Sequence, residues 1–149
     1  PTADKLEWVR LAYEAGQREI EVGSFVPARL MPQLADTAEV LAYAKTLPGL
    51  KASVLVPNLK GAERAMDCEA DLMLLPLSAS HAHSLANLKR TPDEVVADLA
   101  RIVDLRDSKG SDCRVDDGFD FGVDVRDLRV EAGDRINQGR PVESGVAFL

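Results

Sequence analysis

Three short apolar segments alternate with stretches of helical periodicity, and this alternation restricts the chain to a small set of folds. The apolar segments occupy residues 18–23, 51–56 and 71–76 and are rich in aliphatic side chains. Helical patterns precede the first segment, separate the segments and follow the third. Such β–α repeats build parallel sheets with right-handed crossovers. We therefore predict an α/β fold with three parallel strands, either a doubly wound sheet or part of a barrel.

The clearest helix start is Thr91-Pro92-Asp93-Glu94, which follows the third predicted strand. Thr91 and Glu94 have the spacing of a capping box, and Pro92 suits the first helical position. We interpret the polar stretch before it, residues 78–90, as a loop.

A complete (β/α)8 barrel needs about 250 residues, so the 149 residues of this chain could hold only about half of one.

Charge and cysteine content narrow the class of protein. The net charge of −7 disfavours nucleic-acid binding, because neutralising phosphates requires a basic surface. No apolar run approaches the about 18–20 residues of a membrane span, and no signal peptide is visible. Cys68 and Cys113 lack the spacing of a metal or disulfide motif. We expect a cytoplasmic protein without nucleic-acid or membrane partners; the chain begins at Pro1 rather than Met, so it need not start where its gene does.

Motifs for nucleotide binding and serine hydrolysis are missing from the sequence. It contains no Gly-x-Gly-x-x-Gly, Walker or Gly-x-Ser-x-Gly pattern. His81 and His83 could share one face of a strand as metal ligands, but they fall in the predicted loop without an evident third ligand. We interpret them as solvent-facing histidines.

Polar residues and one glycine stand at the ends of the predicted strands, where parallel α/β folds place their active sites. They are Glu21, Gly23 and Ser24 after the first strand, Asn58 after the second, and Ser78 and Ser80 after the third. Glu21 alternates with the apolar Ile20 and Val22, so it could point into a barrel interior, where an acid needs a partner or a proton. It could equally form an exposed ion pair with Arg18 or Lys51.

Several of these segments resemble 3-hydroxy-3-methylglutaryl-CoA lyases, members of the metal-dependent lyases and acyltransferases that share the TIM barrel. The resemblance covers about residues 1–106, with the motifs in family order. It rests on the runs 18–26, 31–36 and 39–41, on Val56-Pro-Asn-Leu-Lys-Gly61 with Glu63, and on Ser78-Ala-Ser80 with Asn87.

The resemblance implies a TIM (β/α)8 barrel that is incomplete in this chain, and a carbon–carbon lyase. Such enzymes cleave 3-hydroxy-3-methylglutaryl-CoA to acetyl-CoA and acetoacetate by retro-Claisen chemistry assisted by Mg²⁺ or Mn²⁺, in leucine degradation and ketone body formation. Glu21 would be the catalytic carboxylate, while Ser24, Asn58 and Asn87 would contact the acyl-CoA substrate. The alternatives are a non-catalytic CoA-binding or interaction module, and a lyase for a related hydroxyacyl-CoA.

The chain departs from the family pattern at the metal site. The family's Arg-Asp-Gly motif belongs upstream of Pro1, and its late His-x-His, Asn and catalytic Cys have no counterpart here. His81 and Gly23 replace the family's usual Glu and Thr. We therefore assign no metal ligand to this chain and expect residues 1–149 alone to be inactive. Because half a barrel leaves sheet edges and apolar surface open, we also expect self-association or missing chain.

The sequence changes character after residue 115. We divide it into a partial TIM-barrel lyase domain at 1–115, from the first helix to the fourth, and a tail at 116–149. Residues 118–124 weakly resemble a segment near the family's C-terminus. Residues 115 and 116 would then join two pieces that lie far apart in a longer enzyme; the tail could equally be unrelated.

Overall fold

The computed structural model describes residues 1–78 and 80–116, and the expectations for the remainder of the tail lie outside these residues. In chain order the helices and strands are α1 (Thr2–Glu14), β1 (Glu19–Ser24), α2 (Thr37–Ala44), β2 (Lys51–Leu55), α3 (Leu59–Asp67), β3 (Leu72–Leu74), α4 (His81–Leu88), α5 (Pro92–Lys109) and β4 (Arg114–Asp116), with a 3₁₀ turn at Pro32–Leu34 before α2.

The strands form one parallel sheet in the order β1-β2-β3-β4. The three predicted parallel strands are confirmed, and so are the helices between them. The fourth strand is an addition: its three residues are too few for periodicity to reveal, and it follows α5 where no strand was predicted. The predicted capping box is also confirmed, because Thr91 accepts a hydrogen bond from the Glu94 amide while the Glu94 carboxylate accepts one from Thr91.

The interpretation of residues 78–90 as a loop is wrong, since α4 spans His81–Leu88. Ser80 caps this helix by accepting a hydrogen bond from the His83 amide at 3.3 Å. Ser84 is the one buried residue of this helix, and its hydroxyl donates a hydrogen bond to the Arg90 carbonyl at 2.7 Å. A short helix anchored through a serine leaves no apolar stripe, so hydrophobic periodicity misses it.

The helices cover one face of the sheet and bury its apolar side chains. Ile20, Ala52, Val54 and Met73 form the sheet side of this core. They pack with buried residues of the helices: Val9 of α1; Val40, Leu41 and Ala44 of α2; Ala62, Ala65 and Met66 of α3; Leu99 and Ile102 of α5. The alternation of side chains along each strand places Glu21, Ser53 and Leu72 on the other face, where Ser53 and Leu72 are buried.

That other face is concave. The Arg114 guanidinium on β4 lies 3.4 Å from the Glu19 carboxylate on β1, although β2 and β3 separate these strands. In a flat sheet three strand spacings would hold the two backbones about 14 Å apart. Curvature of the sheet lets the side chains meet, as the wall of a barrel requires. The fold is thus a partial TIM barrel with the helices on its outer face.

Candidate functional site

The carboxyl ends of β1 and β2 are fixed by a small polar network. A register shift between Glu21 and Gly23 interrupts the regular pairing of β1 with β2 and changes the direction of the end of β1. The buried Thr37 hydroxyl lies 3.0 Å from the Ser24 carbonyl and accepts a hydrogen bond from the Ser24 amide at 3.2 Å. A Cβ at Gly23 would lie 2.6 Å from that hydroxyl oxygen. Gly23 therefore lets the start of α2 approach the strand end closely.

Glu21 lies on the concave face, paired across the strands with Ser53, and opposite the buried Ile20. Burial raises the pKa of its carboxyl group. No hydrogen bond or ion pair holds this side chain among the described residues, where Arg18 binds the carbonyls of Tyr13 and Gln17 instead. Glu21 is exposed on this face, and the ion pair with Arg18 does not form. Its role as a catalytic acid stays a prediction.

Ser24 is buried, and its hydroxyl joins β1 to β2. The hydroxyl donates to the Leu55 carbonyl at 3.0 Å and accepts a hydrogen bond from the Val26 amide at 3.2 Å. These bonds fix the chain at the mouth of the concave face. A contact between Ser24 and substrate stays a prediction.

Asn58 follows β2 and begins α3. Its side-chain oxygen accepts a hydrogen bond from the Gly61 amide at 3.0 Å, which makes it the helix N-cap. A Cβ at Gly61 would lie 3.3 Å from the Phe25 carbonyl and the Pro57 ring. The Asn-Leu-Lys-Gly run thus seats α3 tightly against the ends of two strands, and its contact with substrate stays a prediction.

We expect Asn58→Ala to lower the free energy of unfolding by about 1 kcal/mol, the usual loss for a removed cap. Asn58→Asp keeps a capping oxygen and should stay close to the unmodified chain. Thr91→Ala removes the cap of α5 and serves as the matched control with a similar loss. Urea unfolding followed by circular dichroism measures all three; an Asn58→Ala chain as stable as the unmodified one would contradict the capping role.

Ser78, His83 and Asn87 come together at the carboxyl end of β3. The Ser78 hydroxyl lies 3.0 Å from His83 Nδ1, and Asn87 Nδ2 lies 2.7 Å from His83 Nε2. The sequence indicated Ser78 and Asn87 separately but not their shared contact with His83. The spacing of four residues between His83 and Asn87 would have revealed it had the segment been predicted as a helix.

The residues present do not make a metal centre. Within residues 1–78 and 80–116 no three His, Cys, Asp or Glu side chains are grouped as ligands. Both His83 nitrogens already face Ser78 and Asn87. Cys113 is buried, which raises the pKa of its thiol to about 11, so it is no ready thiolate ligand.

The helices of the described residues are all too short or too polar to cross a membrane. No protein-family model matches the chain.

Curated relatives match about two thirds of the chain. The mitochondrial hydroxymethylglutaryl-CoA lyase of Arabidopsis thaliana is 37% identical over 94 residues, which are 63% of this chain and 20% of that protein. The cytoplasmic 3-hydroxy-3-methylglutaryl-CoA lyase of Rattus norvegicus is 34% identical over 103 residues, 69% of this chain and 30% of that protein. The chain therefore spans only about a fifth to a third of these relatives.

Solved structures agree with the sequence matches. The HMG-CoA lyase of Brucella melitensis superposes with a TM-score of 0.69 at 37% identity, covering 77% of this chain and 41% of that one. An HMG-CoA lyase of Acinetobacter baumannii, solved with coenzyme A and 3-methylmalate, gives a TM-score of 0.70 at 29% identity, with coverage of 93% and 47%. The chain is thus similar to part of the HMG-CoA lyases, and its fold matches part of the TIM barrel of those enzymes.

Proposed function

We propose that this segment belongs to a carbon–carbon lyase that cleaves 3-hydroxy-3-methylglutaryl-CoA to acetyl-CoA and acetoacetate. The observation that carries the proposal is the placement of Glu21 on the concave face of a fold that matches HMG-CoA lyases in sequence and structure. We further propose that this reaction serves leucine degradation and ketone body formation in the cytoplasm.

The proposed chemistry gives each residue a defined task. Glu21 takes the proton of the tertiary hydroxyl, and the raised pKa of its carboxyl group makes the carboxylate a stronger base. The alkoxide then collapses to the ketone of acetoacetate, and the bond that breaks leaves its electron pair on the acetyl-CoA enolate. A proton from an acid outside the described residues completes acetyl-CoA. Ser24, Asn58 and Asn87 line the acyl-CoA pocket at the carboxyl ends of the strands.

We propose Mg²⁺ or Mn²⁺ as the cation of the working site, with ligands outside the described residues. The residues present do not fit such an ion, because no group of three ligands forms among them. Oxygen-preferring cations are held by several ligands that converge on one point. The tasks of this segment are therefore proton transfer and substrate contact.

Transfer of the segment into a solved relative tests the proposal. Residues 1–116 replace the matched part of the Brucella melitensis lyase, and acetoacetate release from 3-hydroxy-3-methylglutaryl-CoA is measured with Mg²⁺. We expect a folded chimera with metal-dependent lyase activity. A folded chimera that binds CoA without releasing acetoacetate would favour the CoA-binding module, and activity only on another hydroxyacyl-CoA would favour the related lyase.

We also propose that residues 1–149 by themselves self-associate. Trp8 and Leu11 lie one turn apart on α1 and are 63% and 50% exposed, and half a barrel leaves strand edges unpaired. Trp8 is the one tryptophan of the chain, so burial on association should shift its fluorescence to shorter wavelength as concentration rises. Light scattering on the same samples gives the mass; a monomer with unchanged fluorescence at every concentration would contradict self-association.

A further inference from the structure

We propose that Ser78, His83 and Asn87 form an acyl-accepting relay, in which Ser78 Oγ takes an acyl group from an activated ester or thioester. The relay lies in the loop after β3 and on the first two turns of α4. It uses residues that the proposed lyase reaction does not need as acids or bases. It shares Asn87 with the proposed acyl-CoA pocket, but its test measures acylation of Ser78 rather than carbon–carbon cleavage.

Hydrogen bonds of α4 fix the backbone that carries His83 and Asn87. Ser80 caps α4 through the His83 amide, which fixes the turn that carries the imidazole. The buried Ser84 anchors the next position of the helix to the Arg90 carbonyl. His83 and Asn87 are four residues apart, so the helix itself sets their separation. The imidazole is thus oriented from both of its nitrogens.

The relay has the order of groups that nucleophilic catalysis uses: a hydroxyl, a base beside it and a third group that orients the base. Ser78 Oγ lies 3.0 Å from His83 Nδ1, and the Asn87 amide lies 2.7 Å from Nε2. A carboxamide can turn either its oxygen or its nitrogen toward a partner. With the Asn87 oxygen turned to Nε2–H, Nδ1 is unprotonated and accepts the Ser78 hydroxyl proton.

The step balances without a further reactant. Ser78 Oγ attacks the carbonyl carbon while its proton passes to His83 Nδ1. The carbon–sulfur or carbon–oxygen bond to the leaving group then breaks, and the leaving group takes the proton from the imidazolium. The product is an acyl-serine and a free thiol or alcohol.

The substrate class of this relay is an ester or thioester whose acyl group is activated by a good leaving group, rather than an amide. His83 and Asn87 are exposed, so even a bulky donor can reach them. Asn87 is uncharged and stabilises an imidazolium less than a carboxylate would. This slows both acylation and hydrolysis, but acylation expels the good leaving group of the donor whereas hydrolysis must expel the poorer serine alkoxide. We therefore expect acylation of Ser78 to be faster than hydrolysis of the acyl-serine, which allows the adduct to accumulate.

Reaction of residues 1–149 with 4-nitrophenyl acetate tests the relay. We expect a burst of 4-nitrophenolate and one acetyl group on Ser78, located by mass spectrometry of peptides. Ser78→Ala should abolish this adduct, and His83→Phe should slow it about a hundredfold, the usual contribution of a general base. His81→Phe is the matched control on the same helix turn and should leave the rate unchanged.

Substitution of Asn87 separates a relay from a merely accessible serine. Asn87→Asp supplies an oxygen that always accepts from Nε2–H, so acetylation of Ser78 should become faster, while Asn87→Ala should slow it. Equal rates in the Asp and Ala variants, or acetylation of Ser78 that is unaffected by His83→Phe, would overturn the proposal. So would the absence of an adduct at Ser78 in the unmodified chain.

Discussion

Residues 1–149, purified alone, should release acetoacetate from 3-hydroxy-3-methylglutaryl-CoA no faster than buffer does. They should also bind Mg²⁺ no more tightly than an exposed carboxylate. We expect weak binding of Mg²⁺ because the described residues bring no three metal ligands to one point. Cation affinity in proteins comes from several converging oxygen or nitrogen ligands, and the chemistry needs the bound cation.

A coupled assay for acetoacetate and isothermal calorimetry with MgCl₂ check this expectation, with the Brucella melitensis lyase as the positive control. Metal-dependent release of acetoacetate by residues 1–149 would show that ligands had been overlooked. His81 and His83 would then be the first residues to replace, because they are the two histidines of the chain.

The sheet could be predicted from sequence because its signal is repeated. Each of the first three strands is an aliphatic run followed by a polar residue and a helix, and burial of Ala52, Val54 and Met73 shows why those runs are apolar. β4 gave no such signal. It contributes three residues, and its Arg114 forms an ion pair with Glu19 across two intervening strands, a contact that no sequence pattern indicates.

The candidate site was only partly predictable. The sequence indicates where along a strand a residue lies, but it does not indicate which group its side chain contacts. The strand-end rule placed Glu21, Ser24, Asn58 and Ser78 at one end of the sheet. It did not show that the oxygens of Ser24 and Asn58 bind backbone amides. The contacts of His83 depend on α4, a helix whose polar sequence resembles a loop.

Glu21 should be essential for carbon–carbon cleavage in the chimera that carries residues 1–116 in the Brucella melitensis lyase. Glu21→Gln keeps the size of the side chain and removes its ability to accept a proton. General acid–base catalysis contributes about 10²–10⁴-fold to rate, so we expect a loss of that order in kcat. The fold should survive, because no hydrogen bond or ion pair of the described residues depends on this side chain.

Glu19→Gln is the matched control. Glu19 lies on the same strand two residues earlier, and its carboxylate pairs with Arg114. Exposed ion pairs contribute about 0–1 kcal/mol to stability, so this change should slightly lower the unfolding temperature and leave kcat unchanged.

The most direct measurement is therefore kcat for acetoacetate release by the chimera and its Glu21→Gln and Glu19→Gln variants, at saturating Mg²⁺ and substrate. A metal-dependent rate that falls at least about a hundredfold in the Glu21 variant and persists in the Glu19 variant is the predicted result. A Glu21→Gln chimera as fast as the unmodified chimera would contradict the assignment of the concave face of this sheet to lyase chemistry.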